Sequence, residues 1–211
     1  MRAVIVSGGS MADTHIIREY LNEDSILIAC DSGLNYTFGE GLVPDVILGD
    51  FDSVQKEVLN YYKNMGKQPI TYPVRKDCTD TELGIFAAEE RGADDIVLLA
   101  ASGTRIDHTL ANIQLLIPLL KKGIRARLID EHNTVELVDK SLAVTNKKGS
   151  YISLLPLTYR VEGITTQGLD YPLDNADIEM GTSLTVSNVI VENEACISVR
   201  GGILAAIIAR D

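Results

Sequence analysis

The sequence predicts a doubly wound, mostly parallel α/β domain over residues 1–130, followed by a small all-β sandwich over residues 131–211. Two observations carry that reading. Through the first part, short wholly apolar runs alternate with stretches of helical periodicity, as expected of strands covered on both faces by crossover helices. From about Glu131 the helical periodicity disappears, and β-branched segments follow at short intervals between turn residues. No fixed-period repeat or low-complexity linker interrupts either part.

The expected strands of the first domain are Ala3–Val6, Ile26–Ala29, Val46–Leu48, Ile70–Val74, Ile96–Ala100 and Ala126–Ile129. The fourth is weakened by Pro73, which has no amide to give to a ladder. Between the strands, Thr81–Arg91 and His108–Lys122 read as helices that stop at Gly92 and Gly123, as C-terminal cap glycines do. Asp13–Leu21 and Val54–Met65 read as helices too, and the alternation implies right-handed crossovers. In the second part the expected strands are Thr134–Val138, Tyr151–Leu155, Val161–Thr166, Leu184–Val191, Ala195–Val199 and Ile203–Ala209. Turn residues such as Lys148-Gly149, Asp174-Asn175 and Arg200-Gly201-Gly202 separate them.

Composition narrows the function. A net charge of −11 argues against nucleic acid as a partner, because binding a polyanion relies on neutralising phosphates with Lys and Arg. A metal–nucleotide complex is compatible with it. Cys30, Cys78 and Cys196 are odd in number and far apart, so they read as reduced thiols of a cytoplasmic protein. No targeting segment is expected, and the longest apolar runs are far too short to cross a bilayer, so no membrane is expected.

The chemistry centres on Pro44–Ser53. The apolar run Val46-Ile47-Leu48 stops at Gly49 and is followed by two carboxylates one residue apart, Asp50 and Asp52. Alternate residues of an extended segment point the same way, so the two acids converge while Phe51 turns back to the core. Like charges so placed repel unless a cation sits between them. A hard ion such as Mg²⁺, which takes one or two carboxylates plus substrate phosphates, fits. The competing reading is that Asp52 or Ser53 caps the next helix, with Asp50 in the turn.

Ligands of an open α/β sheet bind beyond the carboxyl ends of its strands, and the acids recur there. Asp31 follows the second strand, Asp50 and Asp52 the third, Asp77 and Asp80 the fourth, and Asp107 the fifth. Arg75, Lys76 and Arg105 share those loops. Such a set looks like a metal–phosphate site rather than a solvated face. Each loop also has a local reading. Thr79 and Glu82 match a capping box, which leaves Asp80 to point elsewhere. Asp107 can be the N-cap of a helix that begins at His108, and Ser7-Gly8-Gly9-Ser10 can bring backbone amides to a phosphate.

In content and order, Gly49-Asp50-Phe51-Asp52-Ser53, Asp77-Cys78-Thr79-Asp80-Thr81-Glu82 and Ser102-Gly103-Thr104-Arg105-Ile106-Asp107-His108 with Ala111-Asn112 resemble thiamine pyrophosphokinases. Ser153-Leu154-Leu155-Pro156-Leu157, Gly168-Leu169-Asp170-Tyr171-Pro172-Leu173 and Ser187-Asn188 extend the likeness over almost the whole chain. The resemblance implies transfer of the pyrophosphoryl group of ATP to the hydroxyl of thiamine, giving thiamine diphosphate and AMP. It implies a nucleotide-binding catalytic domain, a thiamine-binding sandwich, Mg²⁺, and a homodimer with thiamine between subunits. By motif position, Asp50, Asp52 and Asp80 match metal ligands, and Arg105 and Asp107 match phosphate and substrate contacts. Asp31 matches a position lining the nucleotide site. Lys76, Asp77 and Thr79 complete the expected phosphate contacts, and Ser187 and Asn188 the substrate contacts. The chain departs from the bacterial pattern after Asn188, where Val189-Ile190 replaces Glu-Phe. It has no Trp, so rings for thiamine would come from Tyr151, Tyr159 or Tyr171.

In that scheme positioning and charge neutralisation do most of the chemistry. Asp80, Arg105 and Asp107 are the expected catalytic residues, with Asp107 orienting the thiamine hydroxyl or accepting its proton and Asp77 the runner-up. Neighbouring acids raise the basicity of such a carboxylate and a bound metal lowers it. Two other classes fit the acids less fully: a metal-dependent phosphohydrolase with water as nucleophile, and a binding module without turnover.

Overall fold

The computed structural model describes residues 1–73 and 77–210 and divides into two compact units, Met1–Glu131 and His132–Asp211. In the first unit, β1 (Arg2–Val6), α1 (Ile16–Tyr20), β2 (Ile26–Cys30), α2 (Gly33–Gly39), β3 (Val46–Gly49), α3 (Lys56–Asn64) and β4 (Ile70–Thr71) come first. Then follow α4 (Asp80–Glu90), β5 (Asp95–Leu99), α5 (Ile106–Gln114), α6 (Leu116–Lys121) and β6 (Arg125–Ile129). The strands lie in the order β6-β5-β1-β2-β3-β4, all neighbours parallel. Strand order reverses between β1 and β5, so the switch point of the sheet lies there, with a crevice beyond its carboxyl edge. The apolar strands that the sequence announces are buried; Val4, Ile5, Val6, Ile28 and Leu98 are fully inaccessible to solvent.

The differences from expectation have local causes. The strand expected over Ile70–Val74 is only Ile70–Thr71 among the described residues, with Pro73 just beyond it. The helix expected over His108–Lys122 is two helices that meet at Leu115, because Pro118 has no amide to donate to the carbonyl of Gln114. The short helix α2, bounded by Gly33 and Gly39, was not expected; it buries Leu34 and Thr37. Helix α4 packs closely on β2 because Gly84 faces Cys30: a Cβ there would lie 2.6 Å from the buried sulfur.

The second unit contains β7 (Asn133–Val138), β8 (Ser141–Thr145), β9 (Tyr151–Pro156), β10 (Arg160–Gln167), β11 (Ala176–Glu179), β12 (Asn188–Val189), β13 (Glu194–Ser198) and β14 (Leu204–Ala209). Strands β12-β9-β14-β7 make one antiparallel layer and β11-β10-β13-β8 another. Alternate residues of both layers, among them Ile152, Leu154, Leu204 and Ala206 from one and Val161, Ile164, Ala195 and Ile197 from the other, fill a single core. The expected strand Leu184–Val191 shrinks to β12, because Ser187 takes a left-handed backbone (φ 60°) that ends the extended run. Strands β8 and β11, mostly exposed and mixed in character, were not expected. Among the described residues no helix is long and apolar enough to cross a membrane.

Candidate active site

The loops after β1, β2, β3 and β5 and the first turns of α4 and α5 surround a cavity of about 600 Å³ at the carboxyl edge of the first unit. Its lining includes Ser7–Ser10, Asp31, Asp50, Ser53, Thr79, Asp80, Ser102, Arg105 and Asn112.

Gly49 makes the acidic corner possible. Its φ of 146° favours glycine, and a Cβ there would press on the Asp31 backbone at 3.0 Å. The Asp31 amide in turn donates to the Leu48 carbonyl at 2.8 Å, which ties the ends of β2 and β3 together. Asp50 and Asp52 do converge, but not as alternate residues of a strand. Phe51 lies in the left-handed region (φ 61°), and the Asp52 amide donates to Asp50 Oδ1 at 3.1 Å, so a turn brings the acids together. Phe51 packs against the core, as expected. The carboxylates of Asp31, Asp50 and Asp52 each offer an oxygen within 4.8 Å of the others. Ser53 Oγ lies 2.5 Å from Asp31 Oδ2 and 2.9 Å from Asp52 Oδ1, and its single proton can serve one at a time. Asp31 Oδ1 is buried and has no hydrogen-bond partner among the described residues.

Asp80 lies outside that trio, at the first turn of α4, and lines the same cavity. Thr79 caps the helix: its hydroxyl accepts from the Glu82 amide at 3.2 Å. A buried hydroxyl pair, Ser7 Oγ and Thr81 Oγ1 at 2.9 Å, pins that first turn to the end of β1. Beneath it Cys30 is fully buried. Burial first, then the charges of Asp80 and Asp31, push its thiol far up, so it stays protonated and unreactive. Asp77 is exposed and does not line the cavity; Lys76 and Arg75 lie outside the described residues.

On the β5 side, the amides of Ser7, Gly9 and Ser10 donate to the carbonyls of Leu99, Ala100 and Ser102 at 2.9, 2.6 and 2.8 Å. These amides tie the two loops together instead of forming an anion cradle. Tyr36 adds a bond to the Gly9 carbonyl at 2.8 Å, and buried Asn112 donates to the Ala101 carbonyl at 2.7 Å. Helix α5 begins at Ile106 rather than His108, so Asp107 is in its first turn and does not cap it. Both Asp107 oxygens accept from Arg105, from Nε at 3.2 Å and Nη2 at 2.5 Å. The Arg105 hydrogen bond holds the Asp107 carboxyl down, to about 2, and the same hydrogen bond, with the carboxylate charge behind it, raises Arg105 in return. An acidic surrounding does not make Asp107 a stronger base here; Arg105 outweighs it. Asp130, just beyond β6, accepts from Ser102 Oγ at 2.8 Å. The strand-end rule that marks the other acids points to Asp130 as well, since it follows β6 directly.

In the second unit, the Ser187 amide donates to Ser153 Oγ at 3.0 Å. Asn188 Oδ1 accepts from the amides of Tyr171 (3.1 Å) and Val189 (2.8 Å), and its Nδ2 donates to the Tyr171 carbonyl (2.7 Å). Its amide is therefore largely committed to holding the Tyr171 backbone, whose ring is 71% exposed.

Two family models match the chain: "Thiamin pyrophosphokinase, catalytic domain" over residues 17–128 and "Thiamin pyrophosphokinase, vitamin B1 binding domain" over residues 136–204. The chain is 31% identical over 209 residues to the thiamine pyrophosphokinase of Bacillus subtilis (strain 168), covering 98% of each. Over its full length it superposes on the crystal structure of Bacillus subtilis thiamine pyrophosphokinase, all of which is covered, with a TM-score of 0.91 at 30% identity. The thiamin pyrophosphokinase of Geobacillus thermodenitrificans gives 0.87 at 29%, with 100% of this chain and 98% of that one covered. The Candida albicans enzyme, at 18% identity and TM-score 0.84 over 99% of this chain and 90% of that one, shares the fold.

Proposed function

The chain belongs to the thiamin pyrophosphokinase family, and from that premise we propose that its carboxylate-lined cavity holds MgATP while the pyrophosphoryl group passes to the hydroxyl of thiamine. The products are thiamine diphosphate and AMP. The observation that carries the site assignment is the acidic trio. Three carboxylates with oxygens within 4.8 Å, one oxygen buried and unpartnered among the described residues, repel one another unless a cation joins them. An all-oxygen donor set of this kind suits a hard divalent ion, and Mg²⁺ in particular. When bound, such an ion neutralises charge on the phosphate oxygens.

Asp31, Asp50 and Asp52 would hold the ion, a set in which Asp31 takes the place expected of Asp80. Asp80, carried by the first turn of α4, faces the phosphate chain across the same cavity. Arg105 neutralises charge that develops on the transferred group, for which its planar fork is suited. Asp107 orients the thiamine hydroxyl. Thr79 acts by fixing the turn that presents Asp80. Ser187 and Asn188 serve the thiamine side, Asn188 by setting the Tyr171 backbone. Exposed Tyr159, Tyr171 and Leu184 support a homodimer, and the thiols Cys30, Cys78 and Cys196, which form no disulfide with one another, support a cytoplasmic location.

Incubation with ATP, MgCl₂ and thiamine tests the reading. AMP and thiamine diphosphate should appear in equal amounts and only with all three present. Release of inorganic phosphate without thiamine would overturn it in favour of a phosphohydrolase.

A further inference from the structure

We infer that Asp107 is a surrogate anion for Arg105, occupying the guanidinium fork that a phosphate of the donor nucleotide takes, so that nucleotide binding exchanges one anion for another. The inference rests on the reading of the cavity as the donor site. Three features of the structure carry it. The pair is two-pronged, Nε and Nη2 each meeting a different carboxylate oxygen, which is also how arginine grips phosphate. Arg105 lines the cavity while Asp107 does not, and Arg105 is the only Lys or Arg among the described lining residues, which include Asp31, Asp50 and Asp80. Both side chains are mostly exposed, 69% and 65%, so a change of partner needs no movement of the core and gives up only a solvent-screened pair.

The exchange has a consequence for the acceptor. Asp107 belongs to the first turn of α5, and after losing Arg105 its carboxylate can accept a hydrogen bond from the thiamine hydroxyl. The interaction that most lowers its proton affinity is the Arg105 hydrogen bond, so arrival of the donor also makes Asp107 a better acceptor. Asp107 thus acts on the nucleotide through Arg105, as a positioning residue.

A double-mutant cycle reads the exchange directly. MgATP affinity is measured by titration calorimetry, without thiamine, for the wild type, Asp107→Asn, Arg105→Gln and the double variant, with circular dichroism to confirm folding. Asp107→Asn should bind MgATP about two- to fivefold more tightly, the scale of an exposed ion pair. Arg105→Gln should bind more weakly, and adding Asp107→Asn to it should change little. A residue needed only for local structure would never tighten binding when replaced. Weaker binding by Asp107→Asn overturns the exchange, and so does unchanged binding by Arg105→Gln. Equal tightening with and without Arg105 also overturns it, since that is plain charge repulsion. A wild type that binds no MgATP removes the donor-site reading and the exchange with it; normal wild-type binding without coupling removes the exchange alone.

Discussion

Replacing Asp31 with Asn should stabilise the metal-depleted protein and abolish its stabilisation by Mg²⁺. The substitution keeps the shape and an oxygen for Ser53, and removes one charge from a trio whose oxygens lie within 4.8 Å. At that distance and an effective dielectric of ~20, two unit charges repel by about 3.5 kcal/mol, and Asp31 faces two of them. Asp52 is exposed, so water and salt screen most of this, leaving a gain of about 1–2 kcal/mol. For a chain of this size that is a rise of roughly 2–8 °C in melting temperature in EDTA. Adding millimolar MgCl₂ should raise the melting temperature of the wild type and leave that of Asp31→Asn almost unmoved. Thermal unfolding followed by circular dichroism, with and without Mg²⁺, measures both effects. A variant that melts lower than wild type in EDTA and keeps the full Mg²⁺ shift would refute both the repulsion and the metal assignment.

Asp95 bridges Arg2 at 2.7 Å and Arg127 at 2.8 Å in a mostly buried cluster, so Asp95→Asn should cost about 2–3 kcal/mol in urea unfolding at neutral pH. Burial alone would raise the Asp95 carboxyl, but the hydrogen bonds from Arg2 and Arg127 outweigh it and hold it below the ordinary value. Its contribution is therefore full above about pH 4 and fades as pH falls through the folded value, so the difference between wild type and variant should shrink in acid; a constant difference would contradict this. Asn188→Asp keeps the acceptor for the Tyr171 and Val189 amides but loses the donor to the Tyr171 carbonyl. The KM for thiamine should rise about three- to tenfold with the KM for ATP unchanged, and an equal rise in both would show a general defect instead.

The sequence speaks most clearly where burial is complete. Runs such as Ala3–Val6 and Ile26–Cys30 are strands covered on both faces, and nothing local competes with that pattern. It speaks less clearly where one residue decides. Pro118 splits a helix whose apolar spacing runs on past it, and Ser187 ends a strand that its β-branched neighbours favour. The acids of the cavity are legible because the strand ends that carry them are. Their partners are not. That Asp107 pairs with Arg105, that Asn188 holds the Tyr171 backbone, and that Asp31 rather than Asp80 completes the closest acidic group all depend on backbone turns that spacing alone does not specify.

Those turns form a pattern. Asn146 and Asn175 are left-handed residues of a kind that tolerates the conformation. Among the described residues, the other non-glycine residues with positive φ are Asp31, Phe51, Ala100 and Ser187. The first three lie just beyond β2, β3 and β5, where the chain leaves the sheet around the cavity, and the fourth adjoins Asn188. A left-handed conformation costs Phe51 and Ala100 on the order of 1–3 kcal/mol each, and costs Asp31 less, because its short polar side chain tolerates the turn. At the cavity that cost adds to the mutual repulsion of three carboxylates, so the edge of the sheet is held in an unfavourable state on two counts. What holds it there is the sheet itself. Asp31 cannot relax without breaking the hydrogen bond from its amide to the Leu48 carbonyl, and Ala100 cannot without releasing Gly9, whose amide donates to its carbonyl. The strands end in strained turns because those turns set carboxylates over the crevice before the chain descends into the next helix. A sheet whose strands are fully buried is stable enough to keep them so.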